Sequence, residues 1–563
     1  MLFIQLPRLD NDVTGPAENA PLAAAYLRHA VKRSSERRFW SMTGLQAKVD
    51  RLDDRHLVGM IVRARPSVVA ATLYLWNVER TLHVLKLVKK ALPWVRVIAG
   101  GPEVARGHPF LFRRGGPIDV AVTGEGEAVF PLILLALRRG GRTDFKTVAW
   151  RVGRRFTWGL REAPTVELGR ILPPAGSPAN RPDGRGMGYV ETSRGCAWSC
   201  AFCCYNQGRT KVTWLPAADV IRRVKALKRR GAREIRFIDP TFNSNPDFAA
   251  IVRGLARMNR NKALSFFAEL RPELLARADC ALLAAANFGD VEVGIQSRDP
   301  RVLAAVARQA DVKAAERGVM LLSRAGIRTT VDIMCGLPEQ TPADIRNSLR
   351  WAVRVKKGRV QFLHTLLLPG TELRNRRRML GLDALARPPY RVFRTPSLSA
   401  EDILAAERFA RRLAGGGMDC PAVRLVGRRL PDMFPEVVRL DARRLPSGSL
   451  PGYENRRALL VRGKDLFGRR AAIRAVIRRA LAEEPHILWQ FALAPAAEEP
   501  LDLLDCLVRE TLRVPAHFLD SMTVTGEPGQ RVARRVFVLL QKHGCHSRSW
   551  IQAAENLLSR YYC

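Results

Sequence analysis

Residues 188–204 read GYVETSRGCAWSCAFCC, and the spacing of Cys196, Cys200 and Cys203 within them decides how the rest of the chain is read. A short apolar stretch, YVETS (189–193), runs through a glycine into a loop carrying three thiols. The loop is compact enough to offer three thiolates to three corners of an iron–sulfur cube, which normally takes four. Three thiolates leave one iron open for a further ligand. A zinc site and three structural thiols are the plainer alternatives. Zinc sites usually set two ligands on one hairpin and a second pair elsewhere, and no second CxxC follows.

Outward from this loop, residues 187–395 alternate strand and helix. After YVETS come EIRFID (234–239), LSFFA (264–268), VEVGIQS (291–297), TTVDIMCG (329–336) and VQFLHTLL (360–367). Helical stretches lie between them, for example with Val220, Val224 and Leu227 on one face. Pro216, Pro246, Pro272 and Pro342 fall at or near helix starts, where proline is tolerated. Six β/α units predict a partial barrel, whose chemistry belongs at the carboxyl ends of the strands. The cysteine loop follows the first strand, as that placement requires.

Residues 1–150 predict a second α/β unit, a doubly wound parallel sheet. LFIQL (2–6), SVVAATLYLW (67–76), VRVIAGG (95–101) and IDVAVTGEGE (118–127) are buried-strand candidates, with helices at 21–31 and 79–92. The last two strands run into GGPE (100–103) and GEGE (124–127), and ligands of such sheets sit beyond the carboxyl ends of the strands. Residues 151–186, rich in Arg, Pro and Gly, read as a linker with one hairpin. Residues 396–563 read as a mainly helical domain carrying no recognisable chemistry, with helices in LSAEDILAAERFARRL, LFGRRAAIRAVIRRALAEE and about 529–561.

Composition bounds these readings. A chain of 563 residues with 47% hydrophobic content supports several cores. The ten cysteines are too sparse for a disulfide scaffold. Cys204, Cys280, Cys335, Cys420, Cys506, Cys545 and Cys563 read as buried or incidental thiols in a reducing compartment. The start, MLFIQLPRLD, lacks the charged-then-apolar order of a signal peptide, and AVFPLILLAL is far too short to cross a bilayer. These features predict a soluble cytoplasmic protein. The net charge of +40 is mostly arginine and is spread along the chain, so runs such as RNRRR (374–378) read as solvated helix faces, and a nucleic-acid partner is not expected.

CAWSCAFC, with Phe202 before the third cysteine, resembles the cluster loop of the radical S-adenosylmethionine superfamily. The resemblance continues in order through FIDPTF (237–242), AELR (268–271), VGIQS (293–297) with Arg308, DIMCGLPEQT (332–341) and LLLPGTEL (366–373), and with the N-terminal region it covers about two-thirds of the chain. It implies that Cys196, Cys200 and Cys203 hold a [4Fe–4S] cluster. It also implies that Phe202, Asp239, Thr241, Glu269, Arg271, Gln296, Ser297 and Arg308 line the S-adenosylmethionine site. TLYLWN (72–77), IAGGPEV (98–104) and VTGEGE (122–127) resemble the cobalamin-binding domain that precedes the barrel in one class of that superfamily. Thr72, Tyr74, Leu75, Trp76, Gly100, Gly101, Glu103, Gly124, Glu125, Gly126 and Glu127 are the cobalamin candidates this implies. No DxHxxG occurs, so no histidine stands out as a lower cobalt ligand, and Tyr74, Leu75 or Trp76 would lie against the lower corrin face unless they are core residues.

The resemblance implies a methyltransferase in which S-adenosylmethionine cleavage yields a 5′-deoxyadenosyl radical that activates an inert carbon, and methylcobalamin supplies the methyl group. A second S-adenosylmethionine would remethylate the cobalamin. The helical tail loosely resembles that of a subgroup ending in a domain of unknown function. Electrons would come from an external donor such as flavodoxin or ferredoxin, and the substrate would be a small molecule or peptide. A non-methylating radical outcome and a non-catalytic cobalamin- or redox-responsive protein are the alternatives. Among the former, tRNA methylthiolation is disfavoured, because methylthiotransferases carry three further N-terminal cysteines and residues 1–195 contain none.

Overall fold

The computed structural model describes residues 1–7, 21–44, 50–177, 181–205, 211–355, 358–413, 426–427, 430, 434–512, 537–540 and 545–562. Cys420 and Cys563 lie outside them. Three sheets of five strands or more organise these residues.

The first sheet comprises β1 (Leu2–Ile4), β2 (Thr43–Gly44), β3 (Val68–Thr72), β4 (Arg96–Gly100), β5 (Val120–Val122), β6 (Val148–Val152) and β7 (Arg155–Trp158), in the order β2-β1-β3-β4-β5-β6-β7. β1 to β5 pair in parallel, and β1, β3, β4 and β5 carry apolar residues on both faces. Helices Leu22–Lys32 and Phe130–Arg138 cover one side, with Val31, Phe130 and Ile133 buried, and Asp54–Ala64 and Val78–Ala91 the other, with Leu57, Val84 and Val88 buried. β6 and β7 form an antiparallel hairpin on this sheet. The unit thus reaches Trp158, past the expected boundary at 150, because β6 pairs with β5 and continues the ladder instead of starting a linker.

The second sheet is all parallel, in the order β15-β14-β13-β12-β11-β8. It comprises β8 (Met187–Val190), β11 (Glu234–Phe237), β12 (Ser265–Leu270), β13 (Phe288–Gln296), β14 (Arg328–Cys335) and β15 (Gly358–His364). The six expected strands are therefore present. A small hairpin of β9 (Ser193–Arg194) and β10 (Thr213–Trp214) flanks the cysteine loop. Strand alternation sends Ile235, Phe237, Ala268, Val293 and Ile333 toward the helices, leaving Glu269, Glu292 and Asp332 on the concave face. β16 (Asp383–Ala384) and β17 (Val392–Arg394) form a ribbon after the last barrel strand. The helix Ala400–Leu413, expected to open the tail domain, instead buries Ile403, Ala406 and Ala410 in the barrel core.

The tail is not mainly helical. β18 (Val426–Gly427), β19 (Glu436–Asp441), β20 (Arg456–Gly463), β21 (Leu488–Pro495) and β22 (Phe537–Leu540) form a parallel sheet in the order β18-β22-β21-β20-β19. Helices Arg470–Glu483, Asp502–Leu512 and Arg548–Tyr562 pack on it, so this region is also α/β. Arginines interrupt the apolar run of β20 and hide it from a pattern reading. One of them, Arg457, is fully buried because Asp53 (2.7 Å) and Glu436 (2.8 Å) compensate its charge. Glu484 of the tail accepts hydrogen bonds from the amides of Asp54 (3.1 Å) and Arg55 (3.2 Å), which open the helix Asp54–Ala64. Among the described residues no helix is long and apolar enough to cross a membrane.

Candidate functional site

The carboxyl end of β8 leads directly into the cysteine loop, and Asp239, just past β11, holds the base of that loop. Asp239 Oδ1 accepts from the Thr192 amide (2.9 Å), the Ser193 amide and the Ser193 hydroxyl (2.6 Å). Cys196, Cys200 and Cys203 are all free thiols. The loop is pinned at Ala201, whose N–H donates to Val306 O (2.8 Å) and whose carbonyl accepts from Leu373 N–H (2.8 Å). Phe202 packs partly buried beside Ala201, Val306 and Leu373. Burial, with the neighbouring Cys204, Cys200 and Cys196 adding, pushes the Cys203 thiol up to about 12. Among the described residues no three His, Cys, Asp or Glu side chains gather round one ion-sized point. An iron–sulfur cube requires something else, each thiolate on its own iron.

Arg308 joins this loop to two strands. Its Nη1 lies 3.8 Å from Cys200 Sγ, its Nη2 donates to Gly294 O, and its positive charge acts on Asp332. Gln296 ends β13 at a register shift with φ +66°, a left-handed conformation that turns its side chain out of the strand's alternation. Ser297 is buried and its hydroxyl accepts from the Asp299 amide (3.1 Å). Thr241 is buried, with its hydroxyl donating to Pro240 O (2.6 Å). Arg271 is engaged by neighbouring residues of the chain. Its guanidinium meets Glu273 (2.7 Å), Gln309 O and the face of Trp198 (4.1 Å), so it braces the chain between Cys196 and Cys200.

Four carboxyls converge on the concave face. Burial foremost, then the charges of Glu292 and Asp239, raises Glu269 to about 7. Burial raises Asp239 to about 6 and also raises Glu292, while burial and the charges of Glu292 and Glu269 push Asp332 well up. Asp239 Oδ2, Asp332 Oδ1, Gln296 Oε1 and Arg308 Nε are buried without a hydrogen-bond partner. Raised carboxyls beside orphaned polar atoms fit a polar, cationic ligand, which would let the acids ionise. S-adenosylmethionine, with its sulfonium and ammonium groups, has that chemistry. Glu292 and Asp332 were not singled out from the sequence, although two-residue alternation along VEVGIQS and TTVDIMCG places both on the face of Glu269.

The loops of the first sheet face the same region. Thr72 ends β3, and the rings of Tyr74 and Trp76 beyond it stack at 4.5 Å and 5°. Asn77 fixes this turn by accepting from the Tyr74 amide (2.8 Å) and donating to Leu6 O (3.0 Å) and Thr72 O (3.2 Å). Leu75 packs against the apolar cluster around Ala201 and Tyr390. Gly100 ends β4, and Gly101 has φ +106°, where a Cβ would stand 2.6 Å from Leu73 O. Only glycine fits there. Gly124 has φ +67° and faces open space, whereas a Cβ on Gly126 would meet Leu27 at 3.2 Å. A backbone open at Gly124 beyond parallel strands fits close approach of a large planar ligand such as a corrin.

The carboxylates of these loops are engaged elsewhere. Glu103, 2% exposed, accepts from the Tyr390 hydroxyl (2.9 Å) and pairs with His108 Nε2 (3.0 Å). Glu127 and Glu125 lie 2.8 and 3.9 Å from Arg194 Nη1. The joins to Tyr390 and Arg194 were not evident in the sequence, since those partners lie far along the chain. His364, at the end of β15, stands 3.7 Å from Glu407 and edge-on to Phe362.

A cysteine loop at the mouth of a parallel six-stranded barrel, beside a doubly wound sheet with glycine loops, defines a radical-type barrel coupled to a corrin-binding-type domain. Comparison with known proteins agrees. Residues 190–352 match the Radical SAM superfamily and residues 17–134 the B12 binding domain. An uncharacterized methyltransferase of Pyrococcus horikoshii is 24% identical over 370 residues, spanning 64% of this chain and 78% of that protein. The cobalamin-dependent radical SAM methyltransferase TokK of Streptomyces tokunonensis is 27% identical over 316 residues, half of this chain, and the match spans 44% of TokK. Among solved structures, the radical S-adenosylmethionine methyltransferase TsrM of Kitasatospora setae, bound to tryptophan and a SAM analogue, superposes with a TM-score of 0.60 at 18% identity, covering 75% of this chain and 91% of TsrM. The cobalamin-dependent S-adenosylmethionine radical enzyme OxsB gives 0.53 at 14% identity, covering 72% and 65%. These two likenesses concern the fold. The chain belongs to the cobalamin-dependent radical S-adenosylmethionine family.

Proposed function

We propose that this protein is a methyltransferase that uses a [4Fe–4S] cluster, S-adenosylmethionine and cobalamin to methylate an unactivated carbon of a small molecule or peptide. One observation carries the reading: the cysteine loop and the glycine loops of the first sheet meet at one mouth, joined through Arg194. When bound, the reduced cluster supplies the electron that cleaves S-adenosylmethionine, and cobalamin carries the methyl group.

Cys196, Cys200 and Cys203 hold the cluster, while Asp239 and Arg271 keep their loop in shape. Gln296, Arg308 and Asp332 offer the orphaned polar atoms that orient the nucleoside and amino-acid parts of the cofactor, and Glu269 balances its positive charge. Open backbone at Gly124 would let a corrin approach, Gly101 permits the close packing on Leu73 that shapes the adjoining loop, and Tyr74 and Trp76 would pack against the bound corrin. In this reading Glu103, Glu125 and Glu127 hold the loops in place and do not touch the corrin. An external flavodoxin- or ferredoxin-type donor supplies electrons, and the protein works in the cytoplasm.

Anaerobic reconstitution with iron, sulfide, cobalamin and methyl-labelled S-adenosylmethionine tests this. Label on cobalt together with deoxyadenosine after reduction is the expected result. Deoxyadenosine without label on cobalt would replace methyl transfer by another radical outcome. A full cluster with neither product would make the protein a binding module.

A further inference from the structure

We propose that Arg194 is a positioning residue that clasps the GEGE loop of the first sheet to the cysteine loop of the barrel and thereby sets the separation of the two cofactors. The inference rests on the family reading above, but the clasp itself is visible in the protein's own contacts.

Arg194 closes β9, two residues before Cys196. Its guanidinium is held as a fork. Nε and Nη2 donate to the two oxygens of Glu191 at 2.7 and 3.0 Å, and Nη1 donates across to Glu127 Oε1 at 2.8 Å. Glu125 Oε2 stands 3.9 Å from the same Nη1, and the Tyr26 ring lies 5.7 Å from the guanidinium carbon. The node is largely dry: the side chains of Arg194, Glu127 and Glu191 are 13%, 11% and 11% exposed.

This geometry has three consequences. The bidentate bond to Glu191 fixes the plane of the guanidinium from the barrel side, so Nη1 has little freedom to follow a moving partner. The GEGE loop is therefore registered against the barrel by a rigid fork, which lysine, a single mobile ammonium, would reproduce only in part. Charge makes the clasp decisive as well. With the guanidinium removed, Glu127 and Glu191 face each other in a poorly solvated crevice with the more exposed Glu125 beside them, and their repulsion loosens the two loops. On the other flank the two units meet through the Glu103–Tyr390 bond and the apolar contact of Leu75, so losing Arg194 would let the first sheet pivot about that flank. Gly124, which faces open space in the same loop, would move with it.

The test compares Arg194→Gln, Arg194→Lys and Glu127→Gln with the parent protein. Without cobalamin, hydrogen exchange of residues 122–128 should speed up in Arg194→Gln and Glu127→Gln, with partial protection restored in Arg194→Lys. With cluster and cobalamin loaded, iron content should stay at the parent level in all three. In Arg194→Gln, pulsed dipolar spectroscopy between the reduced cluster and cob(II)alamin should show a broadened distance distribution. Methyl transfer from S-adenosylmethionine to cobalt should fall about ten- to a hundredfold, the cost of an ångström-scale misplacement. Adding Glu127→Gln to Arg194→Gln should add little, because the two act as one unit. Unchanged exchange at 122–128 together with an unchanged distance distribution would overturn the clasp, as would loss of the cluster in Arg194→Gln. Should the parent bind no cobalamin, the proposed function fails, while the exchange measurement still decides whether Arg194 joins the two loops.

Discussion

The two halves of the candidate site use their polar residues in opposite ways. At the barrel mouth, Gln296 Oε1, Arg308 Nε, Asp239 Oδ2 and Asp332 Oδ1 are buried without partners. Around the loops of the first sheet, Glu103, Glu125 and Glu127 are each committed to a residue of the barrel half. Unpaired buried groups are costly and persist where a ligand completes them. Paired carboxylates are structural until shown otherwise. On the proposed function, this difference would give side-chain recognition to the barrel and leave backbone and glycine to receive the corrin.

Four substitutions would break or sharpen that contrast. Cys200→Ala should have the largest effect: no iron–sulfur absorption after reconstitution and no deoxyadenosine, with cobalamin binding by the first sheet retained. Arg308→Ala should keep the fold and weaken S-adenosylmethionine binding by about 10- to 150-fold, the worth of a charge-assisted hydrogen bond of about 1.5–3 kcal/mol, measurable by calorimetry. Glu103→Ala should do the converse. It takes the shared carboxylate from the buried Tyr390 hydroxyl and His108 Nε2, leaving them only each other at 3.2 Å, so stability should fall by about 1–3 kcal/mol in denaturant titration while S-adenosylmethionine affinity is unchanged.

The smallest effect is a pH dependence. Glu269 is raised to about 7 in the folded protein from an ordinary 4.5. The folded state therefore keeps a proton that the unfolded chain has released, and this contribution to stability is full below 4.5 and lost as pH rises through 7. The ligand-free parent should lose more thermal stability than Glu269→Gln between pH 5 and 7.5. Stabilisation by S-adenosylmethionine should grow over the same interval in the parent and stay flat in the variant. Equal slopes would remove Glu269 from the site.

Much of this was legible in the sequence, for physical reasons. Barrel strands such as VEVGIQS and TTVDIMCG are apolar toward the helices and sit between clear helical faces, so period and order placed them. The cysteine spacing is local and survives any fold. Three features were not legible. The tail sheet was missed because β20 carries Arg456, Arg457 and Arg462 around a four-residue apolar run, and Arg457 is acceptable inside through Glu436 and through Asp53, some four hundred residues earlier. The contact of Arg271 with Trp198 in the cysteine loop was missed because motif order does not show which neighbours a side chain meets. Arg194 lies in plain view inside SRGC, yet its partners Glu125 and Glu127 belong to another domain.

The bond between Asp53 and Arg457 joins residues 404 positions apart. A chain emerging from the ribosome amino end first completes the first sheet long before Arg457 exists. During that interval Asp53 and the amides of Asp54 and Arg55 lack the tail groups that later cover them. The first unit to be synthesised is thus among the last to be finished, and a chain stopped short of the tail would carry an unsealed corrin domain however well its barrel had formed.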